Sequence, residues 1–525
     1  MPTFRRIAAS PHLVALAGIV LLGAVLRFAT LDLQSYRYDE AVTVGRVLQP
    51  SLFETLSSVP RSESTPPLYY LVAWLWSRPF GTGEVWMRSL SALAGTASIL
   101  VVYLGTVALP LPRRAGLIAA AMVAVSPVLI WFSQDARAYA LVFLLTALSF
   151  LFFARARRSG ARRDLAWWAA FSALALATHY FAGLVVAAEA VLLLVGSRRR
   201  RDVALALAAI LAVAGLLAPI ALRQADNAHA GWIAEQPLGE RLERAGAKLV
   251  GNDNGNEHGV RQPGPIPLGV PVALAIAALA LLLWRGDPDE RSGARVAALV
   301  GGGALALGLL GADYFDGRNL LPVFVPLTVV LGAGFGVRRA GRAGLALAAS
   351  FCLCSLVFTL EIDRLPRLQR EDLRNAAKEV GAPRAGVAVV TNKYAAGQPL
   401  RYYLGASPAT GPLPPLREID LVGSKRAARS AHRLLPGFRR VESKPVSYNF
   451  TLTRLRSPRP IRVPLRVLEH GALVGGGRYS AVLAWPSASA STSPSSAASS
   501  DSSSSSARAS TSASASTSGG TAAGR

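Results

Sequence analysis

Apolar runs recur through the first 360 residues of the chain, at roughly 12–29, 89–109, 115–133, 138–154, 165–178, 180–195, 203–223, 266–284, 295–312, 319–336 and 343–360. Most hold about 18–21 residues, the length that crosses ~30 Å of hydrocarbon at a rise of ~1.5 Å per residue. A chain patterned this way is expected to fold as an all-α polytopic membrane protein with about 11 transmembrane helices. The first run is too long for a secretory leader. Ala29-Thr30-Leu31-Asp32 at its end is also a poor small-residue cleavage site, so the run reads as a span.

The formal net charge of +25 would suit a nucleic-acid partner. The arginines, however, collect in short connections, at Arg5-Arg6, Arg113-Arg114, 155–163, 198–201, 285–295 and 338–342. That distribution follows the positive-inside rule and marks a cytoplasmic side, so no nucleic-acid partner is expected. Connections of opposite parity carry Asp39-Glu40, Asp135, His179, the 224–265 segment and Asp313 to Arg318. The expected location is a plasma or inner membrane, with the N-terminus cytoplasmic and everything after residue 360 extracytoplasmic. The two cysteines, Cys352 and Cys354, lie inside an apolar run and read as small hydrophobes, with no disulfide or metal role.

Residues 66–80 are apolar and aromatic but too short to span. Paired prolines preset their helical start, and they read as an interfacial or re-entrant helix. Leu238 to Val250 has helical spacing of apolar residues, which suggests a second interfacial helix, followed by a Gly251–Gly255 turn. The membrane domain is taken as 1–360. Residues 361–456 read as a small extracytoplasmic α/β domain, with helices near 373–380 and 400–404 and strands near 386–391 and 450–453. Residues 457–485 are left unassigned. From 486 the chain is Ser, Ala and Thr, too poor in large apolar side chains to fold, and is expected to be disordered.

Chemistry concentrates in the outer connections. Asp39 and Glu40 are adjacent carboxylates at a membrane boundary, suited to a general base and its electrostatic neighbour, or else plain loop acidity. Ser133-Gln134-Asp135-Ala136-Arg137-Ala138-Tyr139 joins two apolar runs with almost no loop. Arg137 there suits a phosphate, with Asp135 orienting a hydroxyl, although the pair could equally neutralise itself. His179 breaks a long apolar stretch, and with no second histidine at ligand spacing it does not suggest zinc. Arg318 precedes a helix start, where the dipole also favours anions. No Walker-type loop occurs, which argues against ATP-driven transport.

In their order, Asp39-Glu40, Pro66-Pro67-Leu68-Tyr69-Tyr70, Glu84 to Arg88, Ser133 to Tyr139 and Thr178-His179-Tyr180 resemble the bacterial family 39 glycosyltransferases. These are GT-C membrane enzymes related to protein O-mannosyltransferases and aminoarabinose lipid A transferases. The resemblance covers roughly 12–360 and implies a GT-C fold and inverting transfer of one sugar, mannose being one candidate. The donor would be a polyprenyl-phosphate sugar, and the acceptor a lipid, glycan or protein on the outer face. It implies Asp39, Glu40 and Asp135 as catalytic residues, and Arg137, Tyr139, His179 and Arg318 as donor or phosphate ligands. Asn319 departs from the family's tyrosine after that arginine. No cofactor or metal is expected to be required, a divalent cation being used by some relatives. The competing classes are a lipid-linked saccharide transporter or flippase, for which internal repeats are missing, and an oligosaccharide polymerase or ligase.

Overall fold

The computed structural model describes residues 10–226, 231–251, 266–311, 314–382, 384–424, 431–475 and 480–484. Asp313, most of the 251–255 turn and the 486–525 tail lie outside the described residues.

Helix α1 (Pro11–Phe28) leads into a loop bearing a short helix, α2 (Tyr38–Val42), which passes into a π-helical turn at Thr43–Val47. Helices α3 (Leu52–Ser62) and α4 (Leu68–Phe80) precede α5 (Glu84–Ala108). The start of α3 is a capping box legible in Ser51-Leu-Phe-Glu54: Ser51 Oγ accepts from the Glu54 amide at 3.1 Å. Next come α6 (Arg113–Val125), α7 (Pro127–Ser133), α8 (Tyr139–Ser159), α9 (Arg162–Thr178), α10 (Ala182–Gly196) and α11 (Arg200–Asp226). After α12 (Leu238–Leu249) follow α13 (Gly269–Arg285), α14 (Pro288–Leu310), α15 (Leu321–Phe335) and α16 (Gly341–Arg364).

Each apolar run falls on one of these helices or, for 115–133, on the α6–α7 pair, but not every helix is long enough to span by itself. Among the described residues six are: α1, α5, α8, α11, α14 and the stretch containing α16. The α6–α7 pair, bent by 59°, makes a seventh. Helices α10, α13 and α15 are apolar but only 15, 17 and 15 residues long. Polar breaks at Thr178-His179-Tyr180 and before Leu321 cut α10 and α15 short. The same breaks bring the polar connections together.

The α6–α7 bend has a specific cause. Pro127 lacks the amide that would bond to the Val123 carbonyl, so the helical ladder opens there. Arg27, buried near the end of α1, supplies the missing donors: Nη2 to Val123 O at 2.9 Å and Nη1 to Ala124 O at 3.0 Å. Its Nε donates to Ser133 Oγ at 3.1 Å, and Thr359 of α16 donates to Val125 O at 3.2 Å. The bend thereby fixes where α7 ends and the 134–138 connection begins. Elsewhere small residues let helices approach closely: a Cβ on Gly332 would lie 2.9 Å from the Ala115 carbonyl, so α15 packs on α6 only with glycine there.

After α16 the chain builds α17 (Leu373–Val380), β1 (Val387–Asn392), α18 (Gly397–Leu404), β2 (Ser407–Pro408), β3 (Leu416–Gly423), β4 (Arg439–Pro445), β5 (Thr451–Ile461) and β6 (Ser480–Ala484). The sheet order is β2-β6-β1-β3-β5-β4, with β1 and β3 parallel at its centre and the other pairs antiparallel. Strand β1 is buried on both faces. Val389 meets α17 on one side, while Ala388 and Val390 meet Leu435, Phe438 and Leu468 on the other. The previously unassigned 457–485 segment carries the end of β5 and all of β6, so the sheet extends beyond residue 456.

Candidate active site

All seven residues singled out in the sequence lie at one end of the helical bundle. Asp39 and Glu40 are on α2; Asp135 and Arg137 are on the 134–138 connection; Tyr139 opens α8; His179 separates α9 from α10; Arg318 precedes α15. Among the described residues, the arginine-rich connections at 113–114, 155–163, 198–201, 285–295 and 338–342 lie at the opposite helix ends. The 134–138 connection is tied down by Gln134 Nε2, which donates to Thr30 Oγ1 at 2.8 Å, and by Ser91 Oγ, which donates to Asp135 O at 2.6 Å.

The three carboxylates differ sharply in environment. Glu40 is fully enclosed. Arg88 of α5 holds it bidentately, Nε to Oε1 and Nη2 to Oε2, both at 2.8 Å. Arg370 reaches Oε2 at 3.2 Å, the Ala136 amide donates to Oε1 at 3.0 Å, and the Arg37 amide donates to Oε2 at 3.1 Å. Burial alone would raise this carboxyl, but Arg88 and Arg370 outweigh it and hold Glu40 down at about 2. Asp135 is also enclosed. Arg37 clamps it, Nη2 to Oδ2 at 2.6 Å and Nε to Oδ1 at 3.3 Å, and Arg370 Nη2 lies 3.9 Å away. Burial pushes Asp135 upward against the pull of Arg37. Asp39 is the carboxylate that keeps open surface: its side chain is 25% exposed, against 0% for Asp135 and Glu40. Arg37 and Arg318 flank it, each 3.7 Å away.

Arg137 does not point at open space. Its Nη1 is 2.7 Å from Glu63 Oε2, 2.9 Å from Thr43 Oγ1 and 3.4 Å from the Asp39 carbonyl. It therefore braces the backbone of α2 from below. His179 Nδ1 accepts from the Phe181 amide at 3.4 Å, which leaves the ring proton on Nε2. Burial, then the charges of Arg318 and Arg137, hold its imidazole down at about 3, so it is neutral at any working pH. Tyr139 is buried, its ring 5.9 Å from His179 and 4.6 Å from Phe132.

Glu63, Lys248 and Arg370, at this end of the bundle, escape sequence reading, and Arg88 enters it only as the end of the Glu84–Arg88 motif with no role assigned. Arg88 carried a usable signal, an arginine at the head of an apolar run. Lys248, on α12, is buried against the 314–320 loop, and a Cβ on Gly317 would lie 2.9 Å from its Nζ. Arg241 Nη1, on the same helix, donates to Phe315 O at 3.3 Å. Helix α12 thus turns its basic side to the protein and leaves Leu238 and Leu242 exposed, the arrangement of an in-plane helix at a lipid surface. Among the described residues no group of three or more His, Cys, Asp or Glu side chains is placed to hold a metal ion.

Two crystal structures of ArnT from Cupriavidus metallidurans share this architecture over 85% of the present chain and 98% of theirs. One is in the apo state (TM-score 0.54, 12% identity) and one is bound to undecaprenyl phosphate (TM-score 0.51, 13% identity). Residues 64–222 match the family model for dolichyl-phosphate-mannose-protein mannosyltransferase. The fold is that of a GT-C glycosyltransferase. The family-model match includes Asp135, Arg137, Tyr139 and His179, and leaves Asp39, Glu40 and Arg318 outside it. No curated protein sequence matches the chain.

Proposed function

We propose that this protein is an inverting glycosyltransferase that moves one sugar from a polyprenyl-phosphate carrier to a lipid, glycan or protein acceptor on the outer face of a plasma or inner membrane. The observation that carries the reading is the grading of the three carboxylates: Glu40 and Asp135 are sealed in arginine cages, while Asp39 keeps an open edge between two guanidinium groups. Asp39 accepts the proton of the acceptor hydroxyl or amine as that group attacks the anomeric carbon. The bond from that carbon to the phosphate oxygen breaks, and the carrier phosphate leaves. Arg318, with Lys248 behind it, offers positive charge where the leaving phosphate develops its own negative charge. His179 can donate one hydrogen bond from Nε2. Glu40, Asp135 and Arg137 hold the α2 loop in place, and Tyr139 packs between Phe132 and His179.

An activated phosphodiester donor removes any need for ATP. Leu238 and Leu242 of α12 give the carrier an apolar flank. The likeness to ArnT, one crystal form of which holds undecaprenyl phosphate, supports a polyprenyl-phosphate donor. Mannose rests on the family model alone. Eleven crossings with the N-terminus in the cytoplasm agree with the arginine-rich connections.

The test is transfer from radiolabelled polyprenyl-phosphate sugars to membrane acceptors by the purified protein. Asp39→Asn is expected to lower kcat by roughly 10²–10⁴-fold, the contribution of a positioned general base. Undiminished transfer by this variant would remove Asp39 from catalysis. Movement of donor lipid across vesicles without sugar transfer would replace the enzyme with a transporter.

A further inference from the structure

The C-terminal sheet domain reaches into the site through one side chain. We infer that Arg370, delivered by the segment joining α16 to the sheet, is a positioning residue that completes the Glu40–Asp135 cage only while the sheet domain is docked on the α2 loop. The inference rests on the glycosyltransferase reading for its kinetic consequence, and on geometry alone for the cage.

Arg370 is almost fully buried and spans both enclosed carboxylates. Nη1 lies 3.2 Å from Glu40 Oε2 and donates to Gln134 O at 2.9 Å. Nη2 lies 3.9 Å from Asp135 Oδ1 and donates to Trp131 O at 3.4 Å. The guanidinium stacks over the Trp131 ring at 4.7 Å. It therefore holds the end of α7, the 134–138 connection and α2 in one register, although α7 and α2 belong to different parts of the chain. Its Nε is buried without a hydrogen-bond partner, a cost that a side chain kept only for packing would not need.

Contacts on both sides of Arg370 clip the sheet domain to the same loop. The Arg370 amide donates to Gln34 Oε1 at 2.8 Å. Ser35 Oγ donates to Glu371 O at 2.6 Å and accepts from the Leu373 amide at 3.0 Å. Arg374 pairs with Glu84 at 3.4 Å. From α18, the Tyr403 hydroxyl accepts from the Tyr36 amide at 2.7 Å and bonds to Glu84, while Tyr402 donates to Thr82 O at 3.2 Å and meets Tyr36 edge-on at 5.2 Å. The clips at Gln34, Ser35 and Tyr36 lie within a few residues of Asp39. Undocking the sheet would withdraw the guanidinium, leaving Glu40 to Arg88 and Asp135 to Arg37. The 134–138 connection would then be tied to α2 only through Ala136, Arg37 and Arg137, and Asp39 would be held less rigidly.

The test uses the full-length protein in detergent or nanodiscs, with Arg370→Gln, Arg370→Lys and Tyr403→Phe. Arg370→Gln is expected to lower kcat by about 100-fold, as a misplaced catalytic group does, with the donor KM unchanged. The acid limb of its pH–rate profile moves to higher pH, because removing a cation favours protonated carboxyls. Arg370→Lys recovers part of the rate, and Tyr403→Phe shows the same displacement of the acid limb in milder form. A purely structural role would reduce the amount of folded protein and leave that profile in place.

Carbodiimide labelling mapped by mass spectrometry reads the cage without any transfer assay. Glu40 and Asp135 are expected to be protected in the wild type and labelled in Arg370→Gln. If the wild type transfers no sugar, the proposed function falls while the labelling still decides the cage. Wild-type protection in Arg370→Gln, or an unshifted profile with full kcat, would overturn the inference.

Discussion

Replacing Glu40 by glutamine separates a carboxylate that holds the fold from one that does chemistry. The side chain keeps its size, so the change removes charge and little else. Two guanidinium groups, Arg88 at 2.8 Å and Arg370 at 3.2 Å, then lose their shared anion in a fully enclosed site. Breaking a buried pair from one side costs about 3–5 kcal/mol, because the stranded cations cannot reach water. A carboxyl held at about 2 in place of 4.5 corresponds to about 3 kcal/mol at ~1.36 kcal/mol per unit. Asp39→Asn is the paired control. Its side chain is partly exposed and its flanking arginines are at 3.7 Å, so its loss is expected to cost no more than about 1 kcal/mol. Both variants would be followed by tryptophan fluorescence during thermal unfolding in detergent, alongside monodisperse elution. Glu40→Gln should unfold well below the wild type, and Asp39→Asn should track it. A Glu40→Gln midpoint equal to wild type, or an equal drop for Asp39→Asn, would refute the division of roles.

Other outcomes follow from the same geometry. Arg27→Met strands the Val123 and Ala124 carbonyls at the helix bend and should lower stability by about 3 kcal/mol or more, with Arg27→Lys recovering only part; an unchanged unfolding midpoint would contradict the bend assignment. Because Glu40 is held below its ordinary value, its contribution is complete above about pH 4.5 and drains away as the pH falls toward 2; an acid titration of the unfolding midpoint should show that loss, and Glu40→Gln should flatten it. His179, neutral throughout, should leave no ionisation near pH 6.5 in the rate profile, so His179→Gln is expected to change the rate without moving either limb. Gly317→Ala places a Cβ 2.5 Å from Lys248 Cδ; displacing that lysine should raise the donor KM with kcat little changed, measured by donor titration.

Part of this was legible in the residues because it is local. Apolar run length marks the helices, and the parity of basic connections picks out Asp39, Asp135, His179 and Arg318 as sharing one end. The capping box at Ser51 and the amphipathic spacing of 238–249 are equally local signals. The β4 strand was not visible, since an exposed edge strand carries little periodicity, and β6 lies in 457–485, which could not be assigned. Run length does not set how many helices span unaided, since runs interrupted by polar breaks look alike whether or not the helix crosses the bilayer; among the described residues six are long enough alone, or seven with the bent pair.

The chemical grading of Asp39, Glu40 and Asp135 belonged wholly to the tertiary structure. By sequence Asp39 and Glu40 are neighbours of equal standing. On a one-turn helix they point apart, Glu40 inward to Arg88 and Arg370, and Asp39 toward the open edge beside Arg318. Arg137 shows the same effect: its spacing from Asp135 suggested a local pair or a phosphate ligand, yet its partner is Glu63, far away in the chain. Arg370 lies 330 residues from Glu40. Apolar patterning fixes which segments enter the bilayer because solvation acts residue by residue. Which cation neutralises which buried anion depends on helix packing, and that pairing leaves no trace in local spacing.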